Sequence, residues 1–388
     1  MLQDGYLPPS ARPEIKTLAG AVAVLLIVGI LGWLKVGSDG YYVLTPGNAP
    51  LVTASAACRS IGGGSFAIPG GQPCVQLIVP AGRDHAHDDS IMMVDVEQAK
   101  ANPWQYLLFK LHLLHTFGVV AEIHSTRDFL GNVPASQLSC QDSQQAYQAT
   151  SQAPVAALRR LGYKVKEEHL GAQIDLVIPG TPAVEAGLQC NDLITAVNGK
   201  PTQTADQVTA DLHGLPAGTT VQLTVLRGTP GKKLTLTARL EALPGQKGQP
   251  PNPKQGFMGV ETETRLVYDF PIAVSADVGS IGGPSDGLAL ALGFINTLTQ
   301  GKLTGGLKVA ATGEIDTSGK VYAIGGAAEK AVAVRDAGAQ VFFVPTANYA
   351  EAKREAGKVK VYAVATLDQA LAILKQMGGQ VPAAPAGT

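Results

Sequence analysis

Ser285 stands in the run Gly282-Gly283-Pro284-Ser285-Asp286-Gly287, at the mouth of a long apolar stretch. From residue 256 onward the chain has no histidine and no cysteine; the last of each are His213 and Cys190. A hydrolytic serine here has no local imidazole to take its proton. A lysine in a dry pocket is the remaining base that makes chemical sense. Lys330, in Gly325-Gly326-Ala327-Ala328-Glu329-Lys330, is the candidate. On a helical wheel Ala327, Ala331, Val334 and Ala337 share one face, Lys330 falls between Val334 and Ala337, and Glu329 and Asp336 point away. Burial on that face favours the neutral amine, which is what a general base must be. The competing expectation is a lysine that snorkels its ammonium to solvent.

Leu288, Ala291, Leu292, Ile295 and Leu298 recur at helical spacing, so Ser285 is expected at the N-terminus of a buried helix, beyond a Gly-Gly-Pro turn. Unpaired N–H groups and the positive end of the helix dipole favour an oxyanion there. Gly283 lets a substrate backbone approach, and Pro284 has no N–H, which leaves the Ser285 N–H as the expected oxyanion donor. Taken alone, such a serine reads more readily as a plain N-cap than as a nucleophile.

The elements that must position these residues follow from composition and punctuation. Residues 17–34, TLAGAVAVLLIVGILGWL, are uncharged and bracketed by Lys16 and Lys35, just long enough to cross a bilayer. Arg12 and Lys16 before the span place residues 1–16 in the cytoplasm and the remainder outside. All four cysteines lie beyond the span; a Cys58–Cys74 bridge is expected to tie down a Gly/Pro-rich loop, and Cys190 reads as a small core residue. Residues 41–150 form an extracytoplasmic region with strands near Tyr41, Val75 and Ile91, and an apolar segment, 103–114, too short and too polar to span a membrane. His85 and His87 read as a solvated loop rather than a metal site, so no metal is expected. The net charge of −1 implies no nucleic-acid partner. Residues 158–242 are β-rich, 243–255 a Pro/Gly/Gln linker, 256–377 the last domain and 378–388 a disordered tail. The fold class is α/β (α+β) multidomain with an N-terminal transmembrane helix.

The middle module carries PGTPAVEAGLQCNDLITAVNGKP over residues 179–201, read as a strand, a short helix from Pro182 capped at Gly187, a second strand and an Asn198-Gly199 turn. It resembles the PDZ domains attached to bacterial envelope proteases. The resemblance implies binding of extended peptide C-termini by strand addition, with Leu161, Gly162 and Tyr163 as the candidate carboxylate loop.

Residues 256–372 resemble the proteolytic domain of the Lon family. Gly283-Pro284-Ser285-x-Gly287, Thr312-Gly313-Glu314-Ile315, Gly319-x-Val321, Ile324-Gly325-Gly326-x-x-x-Lys330 and Ala337-Gly338 carry the resemblance in order. It implies a Ser285–Lys330 dyad, with Thr312 as the threonine near the lysine and Gly283 and Pro284 in the supporting turn. Gly282 stands where the family usually carries an acidic residue, and Asp286 where a small residue is common. The chain has no GxxxxGK[ST] loop. The expected protein is therefore an ATP-independent, membrane-anchored serine endopeptidase that faces the cell exterior and needs no cofactor. Its substrates are proteins or peptides, and the resemblance implies a hexameric ring. The alternatives are an inactive PDZ adaptor or chaperone at the membrane, and a signalling protease dedicated to one partner.

Overall fold

The structure, a computed structural model, describes residues 40–383 except 56, 63–64, 69, 83–89, 115–119, 126–134, 229–230, 246–247 and 300, together with residues 32, 35 and 37. The expected span, apart from Gly32, lies outside the described residues, as do His85 and His87. Among the described residues, no helix is long and apolar enough to cross a membrane.

The chain divides into two compact units, Met1–Leu44 with Gln98–Phe129, and Thr45–Glu97 with Leu130–Thr388. The first holds a three-stranded sheet in the order Val96–Lys100, Tyr41–Pro46, Glu122–Ser125. Its helix, Pro103–Lys110, is the expected apolar segment. Asn102 and Gln105 close a reciprocal capping box at its start. Lys110 lies over the Tyr41 and Tyr106 rings and donates to the Tyr41 hydroxyl at 3.0 Å.

The second unit is built on a seven-stranded sheet in the order Ser275–Asp277, Cys74–Ile78, Leu51–Thr53, Ile91–Met92, Val309–Ala311, Val341–Pro345, Lys360–Val364. Three of these strands come from the region expected to stand apart as residues 41–150. The reason is burial. Val341–Pro345, VFFVP, is buried at every position, as is Val309–Ala311, and strands of that kind need neighbours on both sides. Ile91–Met92 supplies one, running parallel to Val309–Ala311. Cys58 and Cys74 are joined as expected, at the start of the strand Cys74–Ile78.

The helix Gly287–Leu298 is buried from Gly287 to Thr297. An all-round apolar helix must be covered on both sides. Here the sheet lies on one side and a long helix, Ala135–Arg160, on the other. Ala153, Val155, Ala156, Ala157 and Leu158 of that helix join the core formed by Leu288, Leu292 and Ile295. Its N-terminal half is bolted to the β-rich module by a Cys140–Cys190 disulfide. Cys190 is thus a bridging residue and not the free core thiol its motif suggested.

The β-rich module has its own core around Ile174, Ile194, Leu223 and Val225. The short helix Pro182–Glu185 and the Asn198-Gly199 turn form as expected. Its sheet runs in the order Lys232–Arg239, Thr220–Arg227, Leu193–Val197, Lys166–Val177, Val260–Asp269. The fifth strand was expected to belong to the proteolytic domain. It pairs antiparallel with the full length of Lys166–Val177, from Val260 opposite Val177 to Asp269 opposite Lys166. The linker is partly ordered by pairing, Glu241–Leu243 running antiparallel to Asn252–Phe257. Backbone pairing needs no apolar side chains, so a polar, proline-bearing composition did not prevent it.

Candidate active site

The turn holding Ser285 is fixed from below by the segment Thr312-Gly313. The Gly313 N–H donates to the Ser285 carbonyl at 2.7 Å, and the Leu288 N–H donates to the Gly313 carbonyl at 3.0 Å. Gly287 opens the helix where a Cβ would lie 2.7 Å from the Ile315 side chain and 3.0 Å from its backbone nitrogen. Only glycine lets the helix start so close to that strand. The N-cap is Asp286, one residue beyond the serine, so Ser285 projects from the turn ahead of the helix. The Gly283 N–H donates to the Asp142 carbonyl of the long helix at 3.2 Å. Pro284 lines a cavity beside the turn.

Lys330 reaches the same point from the helix Ala327–Asp336. It is only 2% exposed, so the buried alternative holds over the snorkelling one. Its Nζ donates to Ser285 Oγ at 2.6 Å and to Thr312 Oγ1 at 3.2 Å. The Thr312 hydroxyl in turn donates to the Ser285 carbonyl at 3.1 Å. Three residues separated by up to 45 positions thus meet at one nitrogen. Burial pulls the Lys330 pKa down, opposed by the nearby carboxyl groups of Asp286 and Asp95. The arrangement brings the Ser285 hydroxyl into contact with a buried amine whose pKa is lowered by burial.

Two carboxyls at this site escaped the sequence reading. Burial pushes Asp286 up to about 7, with the charge of Lys330 pulling it back and Asp95 adding to the rise. Its Oδ1 has no hydrogen-bond partner among the described residues. Asp95 is also raised by burial, while the Asn48 N–H, which it accepts, and Lys330 both lower it. In the sequence Asp286 shows only as a departure from the Lon pattern. Asp95 carried one signal, an aspartate inside the apolar run Ile91-Met92-Met93-Val94-Asp95-Val96.

Leu161, Gly162 and Tyr163 lie at the end of the long helix. Their N–H groups donate to the carbonyls of Ala157, Arg159 and Leu158 at 2.9 to 3.0 Å, with Gly162 in the left-handed conformation at φ +88°. That is a helix C-cap, which spends the donors a carboxylate would need. The strand that follows, Lys166–Val177, is paired on its outer edge by Val260–Asp269. The structure therefore brings Ser285, Lys330 and Thr312 together, and places Leu161, Gly162 and Tyr163 in a capping role.

Residues 160–240 match the family model of the PDZ domain, and residues 258–375 match that of the Lon protease (S16) C-terminal proteolytic domain. Lon protease 1 of Herpetosiphon aurantiacus is 37% identical over 93 residues, which is 24% of this chain and 11% of that protein. The Lon protease of Campylobacter concisus is 34% identical over 112 residues, 27% of this chain and 13% of that protein. Among solved structures, the PDZ domain of an SdrC-like protein from Listeria monocytogenes is 23% identical, covering 26% of this chain and 93% of that one, with a TM-score of 0.21. The chain is of mixed α/β content and carries a PDZ domain and a Lon-type proteolytic domain.

Proposed function

We propose that this chain is a serine endopeptidase in which Lys330 is the general base for Ser285. The observation that carries the reading is the 2.6 Å contact between Lys330 Nζ and Ser285 Oγ, made by a lysine that is 2% exposed. Neutral Lys330 takes the hydroxyl proton as Ser285 Oγ attacks the scissile carbonyl. The resulting ammonium is held by Thr312 Oγ1 and by the field of Asp286 and Asp95. Collapse of the tetrahedral intermediate breaks the C–N bond, and Lys330 returns the proton to the leaving amine. The acyl group on Ser285 is then hydrolysed by a water that Lys330 deprotonates. The Ser285 N–H, ahead of the helix Gly287–Leu298, is the proposed oxyanion donor.

The substrates are polypeptides, as the PDZ and Lon-type domains suggest. Peptide capture at the Lys166–Val177 edge requires displacement of Val260–Asp269, so substrates are proposed to reach Ser285 directly. Hydrolysis by this chain is proposed to need no ATP, because its 388 residues contain no phosphate-cradling loop of the GxxxxGK[ST] kind. Anchoring by residues 17–34, with the active site outside the cytoplasm, rests on the apolar run and its lysine brackets. A periplasm- or exterior-dependent reporter fused after Thr388 checks the orientation: it should be active, and strong activity of a cytoplasmic reporter would reverse it.

The decisive test of the chemistry is a fluorophosphonate probe with casein as substrate and no nucleotide added. Wild type should label at Ser285 and cleave casein, and Ser285→Ala should do neither. Equal labelling in Ser285→Ala would place the nucleophile elsewhere. A folded wild type that neither labels nor cleaves would favour the inactive-adaptor reading.

A further inference from the structure

The helix Pro103–Lys110 presents apolar side chains on two sides. Tyr106 and Leu108 are buried, with the Tyr106 ring centre 5.1 Å from that of Tyr41. Trp104, by contrast, is 57% exposed, and the C-cap Leu111 is 55% exposed. At about 100° per residue, Trp104, Leu107 and Leu111 fall within an arc of about 60°, with Lys110 on one flank and the buried Leu108 on the other. One exposed leucine is ordinary on a protein surface. A tryptophan and a leucine two turns apart on one face, with the half-buried Leu107 between them, make a continuous apolar stripe.

One contact fixes where this stripe lies along the chain's other apolar segment. Gly32, Lys35 and Gly37 are helical. A Cβ at Gly37 would lie 2.5 to 2.8 Å from the ring and hydroxyl of Tyr106, so that side chain packs directly on the backbone there. Gly37 is three residues past Leu34, the end of the apolar run 17–34. At a rise of about 1.5 Å per residue it stands about 5 Å beyond the run. The polar layer on each side of a bilayer's hydrocarbon core is about 5–8 Å thick. With residues 17–34 in the core, Tyr106 and its helix are held at the depth of the lipid headgroups.

Charge points the same way. Histidines apart, the described residues of this unit carry Lys35, Lys100 and Lys110 against a single carboxylate, Glu122. Lys110 is exposed and spends one donor on the Tyr41 hydroxyl; an ammonium has three. An excess of lysine beside an apolar stripe suits a surface of phosphates over acyl chains. It does not suit a second copy of the same face, whose lysines would repel these.

We propose that the helix Pro103–Lys110 lies in the headgroup layer of the bilayer that residues 17–34 cross, with Trp104, Leu107 and Leu111 toward the acyl chains and Lys110 among the phosphates. The inference rests on the proposed anchoring by residues 17–34. Tryptophan and leucine on one face with lysine beside them is the composition that settles at a membrane–water boundary. The first unit then stands on the membrane at two points and does not swing on the chain around Lys35.

The chain has two tryptophans, Trp33 in the apolar run and Trp104, so the full-length variants Trp33→Phe and Trp104→Phe each report one site. Each is reconstituted in vesicles of phosphatidylcholine and phosphatidylglycerol. Phosphatidylcholine brominated near the headgroup is the lipid quencher and acrylamide the aqueous one. Trp104 should lose most of its emission to the brominated lipid and little to acrylamide. Adding Leu111→Glu, at a position already more than half exposed, should reverse that order for Trp104 and leave lipid quenching of Trp33 unchanged. Lipid quenching of Trp33 with Trp104 open to acrylamide alone overturns the interfacial helix and leaves the anchor standing. Trp104 shielded from both quenchers means that protein covers the stripe, which also overturns it. So does lipid quenching of Trp104 that Leu111→Glu leaves intact. If the lipid quenches neither tryptophan, the proposed anchoring falls and takes the interfacial helix with it.

Discussion

Replacing Thr312 by valine isolates one part of the proposed mechanism. Thr312 is fully buried, and its hydroxyl joins Lys330 Nζ, at 3.2 Å, to the Ser285 carbonyl, at 3.1 Å. Valine keeps the shape and removes both bonds. The Ser285 carbonyl retains the Gly313 N–H at 2.7 Å, so no backbone acceptor is orphaned and the stability cost should stay near ~1 kcal/mol. The catalytic cost should be larger. In the resting enzyme a neutral amine has little need of the threonine, but once Lys330 has taken the serine proton it is a buried ammonium that has lost an acceptor. A hydrogen bond to a charged group contributes about 1.5–3 kcal/mol, which is roughly a 10- to 160-fold fall in kcat. KM should barely move, because the bond strengthens only after proton transfer. The measurement is steady-state cleavage of a neutral fluorogenic peptide alongside a thermal melt. A kcat within twofold of wild type would mean that Thr312 does not support the ammonium. A loss as deep as that of Ser285→Ala, in a protein that melts normally, would mean that the hydroxyl carries the proton itself.

Lys330→Arg should be folded and inactive in the same assay, since a guanidinium stays protonated near neutral pH; measurable turnover would remove the base from the mechanism. Asp286→Asn removes a negative neighbour that raises the Lys330 pKa, so the acid limb of the kcat/KM profile should move to lower pH, and a limb that stays in place would show that the two groups do not interact. The same variant has a stability signature. Asp286 binds its proton more tightly folded, at about 7, than at its ordinary 3.8, so the folded state of wild type loses ground as pH rises between those values. The Tm of Asp286→Asn relative to wild type should therefore be more favourable at about pH 8 than at about pH 4, and parallel melting curves would refute it. Replacing both Cys140 and Cys190 by serine opens a cross-link spanning 50 residues, for which loop entropy gives about 4 kcal/mol by urea unfolding. A loss below ~1 kcal/mol would mean that the unfolded chain already holds those segments together.

Local chemistry was readable where it depended on local pattern. The Ser285 turn, the buried face holding Lys330 and the short PDZ helix from Pro182 all follow from spacing and punctuation over ten residues or so. What the sequence concealed was pairing between distant segments. Leu51–Thr53 and Ile91–Met92 are three and two residues long, too short for any period, and their membership in the protease sheet is set by partners elsewhere. Val260–Asp269 alternates visibly, but alternation names a face and not the sheet it joins. Leu161 to Tyr163 looked like a loop because the helix before it, Ala135–Arg160, is rich in serine and glutamine in its first half and holds Pro154. Asp95 and Asp286 become neighbours of Lys330 only in the folded chain.

The seven-stranded sheet sets a timetable for synthesis. Leu51–Thr53, Cys74–Ile78 and Ile91–Met92 leave the ribosome early, yet Ile91–Met92 waits for Val309–Ala311, and Cys74–Ile78 for Ser275–Asp277. At roughly 5–20 residues per second, a gap of about 200 residues lasts on the order of 10–40 s. Throughout that interval the apolar strands have open edges that invite pairing with other chains. Two features shorten the hazard. The Cys58–Cys74 loop spans only 16 residues and can close at once, and the PDZ hairpins can fold from contacts within their own segment. Val309–Ala311, next to Thr312, pairs with Val341–Pro345, which pairs with Lys360–Val364, so the proposed active site is expected to stay unformed until the sheet is nearly complete.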